Sequence, residues 1–275
     1  MKKKKEKFPI RLYEAMKHEL REHKSSFIIY NILRFLVICM MIFEILNRSY
    51  ESAFLCVLTL ILLIIPSFFQ VALRIEVPTV LEITILFFIF AAEILGEICN
   101  FYSIFPFWDT VLHTLNGFLT AAIGLSLVQL LNKSDKLLFQ LSPLFTSIVA
   151  FCFSMTIGVI WEFFEFGMDQ IFNLDMQKDT VIHTISSVSL NSSGENIPII
   201  IKDIQDVTIS GKDLALGGYL DIGLIDTMQD LLVNFIGALV FSILGFFYVK
   251  NKDKDSVIVK LILHRKDKDK DYLSY

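Results

Sequence analysis

The sequence predicts an all-α membrane protein of about six transmembrane helices, with a small outer-face β-hairpin in the loop between helices 5 and 6. Three observations predict it. Of 275 residues, 54% are hydrophobic and only 20% charged, with 26 phenylalanines. Mean hydropathy is +0.60. About six runs are long and apolar enough to cross a hydrocarbon core of about 30 Å. A water-soluble chain of this composition would expose large apolar patches. The same composition excludes disorder and collagen-like repeats. The net charge of −4 leaves no basic footprint for nucleic acid. The implied partner is the lipid bilayer.

The N-terminal segment, residues 1–26, opens on a lysine run at 1–7. Over 8–24, Leu12, Met16 and Leu20 recur at helical spacing. Such a helix either lies in the membrane interface or is solvated. No cleavage site follows the first apolar run, so it is not a signal peptide. The transmembrane domain covers 27–249, with spans at 27–46, 52–73, 78–99, 108–131, 143–166 and 223–249. Arg34 and Glu44 lie in the first span; Arg34 either pairs with a buried acid or snorkels to the surface.

Charge sets the orientation. Lys and Arg crowd the segment before the first span. Arg74 lies between the second and third, Lys133 and Lys136 between the fourth and fifth, and Lys250, Lys252 and Lys254 after the sixth. The opposite connectors carry Arg48 alone after the first span and no cation over 100–107. The positive-inside rule then gives a multi-pass protein of the cell membrane with both termini cytoplasmic. The extracytoplasmic loop is 167–222. Within it, 180–190 and 197–209 are rich in β-branched residues, and the polar run 191–196 separates them as a turn. The cytoplasmic tail is 250–275. Its 256–264 stretch is a short strand or an interfacial segment, and Lys266 begins a solvated, alternately charged end. Cys39, Cys56, Cys99 and Cys152 form no CxxC pair and read as small buried hydrophobes. His18, His23 and His264 read as cytoplasmic surface residues, and His183 as a surface residue of the hairpin. Trp108 and Trp161 fit an aromatic belt.

Ionisable groups inside spans are costly and mark function. Here they form stripes. Glu93 and Glu97 are four apart near the end of the third span. Asp109 and His113 are four apart at the start of the fourth, followed by Asn116 and Gly117. Glu162, Glu165 and Asp169 close the fifth, and Asp226, Asp230 and Asn234 open the sixth. Residues three or four apart share a helix face. Alternating span direction then puts all four stripes at one depth, in the outer half of the bilayer. So many carboxylates cannot all stay ionised in a low dielectric; they bind cations, share protons or open to water.

Carboxylates with one imidazole suit Mg, Mn, Ca or Zn. The expected metal set is Glu162, Glu165, Asp226 and Asp230. Asp109 and His113 serve as catalytic base or complete the ligands, and Glu93, Glu97, Asn116, Asp169 and Asn234 line the site. Two other readings remain open: a polar network that binds helices together without an ion, and a proton or ion path. The function classes follow. One is a metal-dependent enzyme on a lipid-linked or envelope substrate. The others are an ion- or proton-coupled transporter and a structural or partner-binding protein. Catalytic triads, phosphate loops and nucleotide fingerprints are absent from the sequence.

At these residues the chain resembles a bacterial family. Asp109-x3-His113 followed by Gly117, Glu162-x2-Glu165, and Asp230-x3-Asn234-x2-Gly237 resemble, in order, the motifs of VanZ-like membrane proteins. The YjdF-like branch is closer, through Glu-x2-Glu and the 223–230 run Gly-Leu-Ile-Asp-Thr-x2-Asp. The resemblance spans roughly 93–248, and Glu165 stands where VanZ-like proteins carry Gln. VanZ-like proteins are associated with glycopeptide resistance. The resemblance implies a polytopic helical fold and a polar site, not a reaction.

Overall fold

The computed structural model describes residues 8–22, 24–132, 141–251 and 255–266. The lysine run 1–7, the Lys133 and Lys136 connector, Lys252, Lys254 and the tail beyond Lys266 lie outside the described residues. Two compact units are distinguished, Met1–Thr156 with Val233–Tyr275, and Ile157–Leu232.

The helices follow the apolar runs. α1 is Phe8–Glu22, α2 Lys24–Leu46, α3 Tyr50–Leu62, α4 Ile65–Leu73 and α5 Thr79–Phe90. α6 is the short Phe101–Ile104, α7 Trp108–Asn132, α8 Pro143–Phe172 and α9 Leu224–Asn251. Among the described residues, six stretches are long and apolar enough to cross a membrane: α2, α3 with α4, α5 with its continuation, α7, α8 and α9.

Three details depart from a plain helical reading. Pro66, which cannot donate to the helical ladder and crowds the carbonyl four residues back, divides the second span into α3 and α4. The third span continues beyond α5 as a π-helical segment, Ala91–Ile98, closed by Cys99 N–H donating to the Ile94 carbonyl at 2.9 Å. α8 runs on to Phe172, beyond its expected end, so Asp169 is still helical. Exposed Phe, Ile and Leu cover the spans, as lipid-facing surfaces require.

In the first unit, Tyr30, Leu33 and Val37 of α2 pack with Cys56, Leu63, Leu86 and Ile94. Ala121, Ala122 and Leu125 of α7 pack with Ala150 of α8 and Ala238 and Phe241 of α9. Small residues here let helix backbones approach. Gly117 and Gly237 are the tightest points. A Cβ on Gly117 would collide with the Asn234 carbonyl, and one on Gly237 with the Thr114 carbonyl.

Strand β1, Ile75–Glu76, follows α4. β2 is Val181–Ile182, β3 Ile185–Ser187, β4 Ile199–Ile201, β5 Thr208–Ile209, β6 Lys212–Asp213, β7 Tyr219–Leu220 and β8 His264–Arg265. β3 pairs antiparallel with β4, Ile185 opposite Ile201 and Ser187 opposite Ile199. This is the expected hairpin, with its turn at the expected polar run. β2 pairs with β7 at its base, and β5 pairs with β6 in a separate ladder.

β1 pairs with β8, a partnership invisible in either segment alone. A 3₁₀ turn, Val257–Leu261, leads into it. Ile262 is buried in the α7–α8–α9 cluster, and Leu263 N–H donates to Ser126 Oγ at 3.0 Å. Lys266 N–H donates to the Arg74 carbonyl, and Lys266 Nζ pairs with Glu19 of α1, both side chains buried. Lys266 is thus part of the packed protein rather than a solvated end, and His264 is half-buried in the ladder rather than a surface residue. α1 packs against α4 and α2, with Ala15 and Glu19 buried, so its inner face meets protein rather than bulk water. Arg34 is exposed. Of the cysteines, Cys56 is buried, but Cys39 and Cys152 are exposed on the helix surfaces; apolar thiols are as well placed against lipid as in a core.

Candidate functional site

The first unit holds a polar junction where α7, α8 and α9 meet. Asp109 Oδ1 lies 3.5 Å from His113 Nε2, with His113 buried and Asp109 partly open. One turn further, Asn116 Nδ2 donates to Asn234 Oδ1 at 3.1 Å. Asn234 is fully buried, and its Nδ2 donates to Met155 Sδ at 3.6 Å. Ser154 Oγ donates to the Gly117 carbonyl at 2.8 Å, and Thr120 Oγ1 lies 2.8 Å from Ser154 Oγ. This network needs the two glycines, because only without their Cβ atoms do the backbones come close enough.

The second unit holds the ends of α8 and α9 and the strands between them. Glu162, Glu165 and Asp230 are buried. Trp161 Nε1 donates to Glu165 Oε1 at 2.8 Å, and its ring packs against Phe164. Trp161, read from sequence as a belt residue, therefore also binds a buried carboxylate. Two other expected site acids organise the backbone. Asp169 accepts the Met176 and Gln177 N–H groups at 2.6 and 2.9 Å, and Asp226 accepts the Lys178 N–H at 2.8 Å. Asp221, which the sequence reading passed over, accepts the Thr180 and Ile225 N–H groups. Its signal was an acid two residues before a glycine at a helix start. Gly223, at φ +83° and with no room for a Cβ beside Gln177, makes the turn into α9.

Asp179 sits among these acids. Partial desolvation, then Asp175, Asp221 and Asp169, raise its carboxyl above the usual range. The folded form therefore binds the proton more tightly than the unfolded chain. That contribution is present at low pH and is lost as pH rises from the ordinary carboxylate range through the raised value. Asp179→Asn is expected to make the loop slightly more resistant to proteolysis at neutral pH and to flatten its pH dependence. Proteolysis rates of both proteins across pH 4–8 check this.

Glu93 is half-buried and Glu97 exposed on the π-helical segment, where Trp108 Nε1 donates to the Ala91 carbonyl. His183 borders an open pocket of ≈ 600 Å³ with Asp203 and Asp206, its Nδ1 3.0 Å from the Ile204 carbonyl. Sequence reasoning also missed a buried polar pair in the first unit, where Gln70 Nε2 donates to Glu82 Oε1 and Gln70 Oε1 accepts the Val77 N–H. A glutamate one turn into the third span was its only signal.

Among the described residues, six apolar spans define a multi-pass membrane protein, with the Asp109–His113 pair in its first unit and the buried acids Glu162, Glu165 and Asp230 in its second. The chain belongs to the family described as "Predicted membrane protein (DUF2238)", which it matches over residues 29–251. A relative from Thermotoga maritima, named "Uncharacterized protein", is 28% identical over 96 residues, 35% of this chain and 47% of the relative. The match spans about half the length of that relative. No solved structure matches the chain.

Proposed function

We propose that this protein is a metal-dependent membrane enzyme acting on a lipid-linked or envelope substrate, akin to VanZ-like and YjdF-like proteins. Glu162, Glu165 and Asp230 hold a divalent cation, with Asp226 at the margin. The Asp109–His113 pair completes the ligands or acts as base. The cation supplies Lewis-acid chemistry. The observation that carries the reading is the helix register at the polar junction. α8 meets α7 through Ser154 and α9 through Met155. Glu162 is seven residues past Met155 and Glu165 eleven past Ser154, so each returns to the same face of a helix with 3.6 residues per turn. His113 lies one turn before Gly117 and Asp230 one turn before Asn234. Alternating span direction, expected from the sequence, supports a common depth for these stripes. The testing experiment is elemental analysis of protein purified without chelator. One divalent metal per chain is expected, and metal-free protein retaining full cellular function would refute the reading.

We further propose that both termini are cytoplasmic and that the site lies in the outer half of the cell membrane, as the distribution of Lys and Arg supports. In a background lacking the native cysteines, Ser103→Cys and Ser193→Cys should react with an impermeant thiol reagent in intact cells. Ser142→Cys should react only after lysis. The opposite pattern would move the site to the cytoplasmic half.

A further inference from the structure

We infer that the β3–β4 hairpin is a lipid-contacting element that lies in the interface of the bilayer at the end where α8 and α9 emerge. Pairing normally leaves a hairpin one face for a core and one for water. Here Ile199, Ile200 and Ile201 of β4 are exposed on both faces, and Ile197, Val188 and Leu190 around the turn are exposed as well. Residues 181–201 contain a single charged side chain, Glu195. A free strand edge of this composition in water is a site for aggregation.

The chain itself says what covers it. Three residues separate β7 from α9, a reach of at most about 11 Å. Asp169, Asp221 and Asp226 tie the flanking backbone to the ends of α8 and α9. The hairpin base is therefore held at the helix ends. Those ends are themselves apolar and exposed at Ile171, Phe172, Ile222 and Leu224. The hairpin continues the lipid-facing surface of the spans, and interfacial elements bury an apolar face about 5–10 Å into the headgroup boundary. The inference holds for either leaflet and is independent of the metal site.

The test uses the full chain with its four cysteines replaced by alanine, reconstituted in phosphatidylcholine–phosphatidylglycerol vesicles. Ile200→Cys and Lys212→Cys each carry a fluorophore, and Ile197→Cys substitutes if Ile200→Cys does not fold. Spin-labelled lipid should quench the hairpin label severalfold more than the Lys212 label, and aqueous iodide should show the reverse order. Equal iodide quenching at both positions without lipid quenching would overturn the inference. So would a hairpin label shielded from both quenchers, which would mean that a protein, such as a second copy, covers it.

Discussion

Gly117→Ala and Gly237→Ala are each expected to destabilise the protein by about 1–3 kcal/mol, the usual cost of overpacking a tight contact. The added methyl on Gly117 would meet Asn234 Cα at 3.0 Å and collide with its carbonyl oxygen; on Gly237 it would meet Phe118 N at 3.0 Å and collide with the Thr114 carbonyl. These are backbone atoms of a packed helix, so relief requires the whole helix to move. Separation of α7 from α9 would also stretch the 3.1 Å Asn116–Asn234 bond. Gly167→Ala is the comparison. It lies inside α8 with open space around it, and alanine there should be neutral or stabilise by about 0.5–1 kcal/mol. Unfolding in graded detergent denaturant measures all three. Equal stability for Gly117→Ala and Gly167→Ala would mean that the close helix crossing is not required.

Glu162→Gln and Asp230→Asn should abolish the gain in melting temperature that a divalent metal gives the wild type. Each substitution keeps shape and hydrogen-bonding capacity and removes one charge. If the buried acids only join helices, the amides serve nearly as well, since such contacts in membranes are worth about 0.6 kcal/mol on average. If they hold a cation, binding to the folded state alone adds about 2.7 kcal/mol at a hundredfold excess over Kd. Loss of one anionic ligand removes most of that. Chelator-stripped protein is melted with Mg, Mn, Ca or Zn added singly. An equal response in wild type and both variants, with cellular function retained, would favour the helix-joining network. The contrast with the glycine variants is built in, because those lose stability with or without metal.

Hydropathy alone located the six spans, and runs rich in β-branched residues around a polar turn located the hairpin. Both signals survive because burial in lipid demands about 20 apolar residues per helix whatever the neighbours are, and because turn chemistry is local. The polar stripes were legible for the same reason: a charge inside a span is rare enough to be read singly. Their local partners were not. Asp169 and Asp226 look identical to Glu162 and Asp230 in sequence, yet the first two accept backbone N–H groups of the 173–180 segment. A loop's path depends on contacts far along the chain. The same holds for the β1–β8 pair and the Lys266–Glu19 contact, which join residues nearly 200 or more positions apart. A two-residue strand has no periodicity to read. Nor does a sequence announce π-helical hydrogen bonding after α5, since the apolar pattern of a span is the same either way. Composition and pattern therefore determined the class, the spans and which side chains are chemically costly. Only tertiary packing decided which acids serve the backbone, how closely α7 and α9 approach, and that the C-terminal strand closes on the start of the third span.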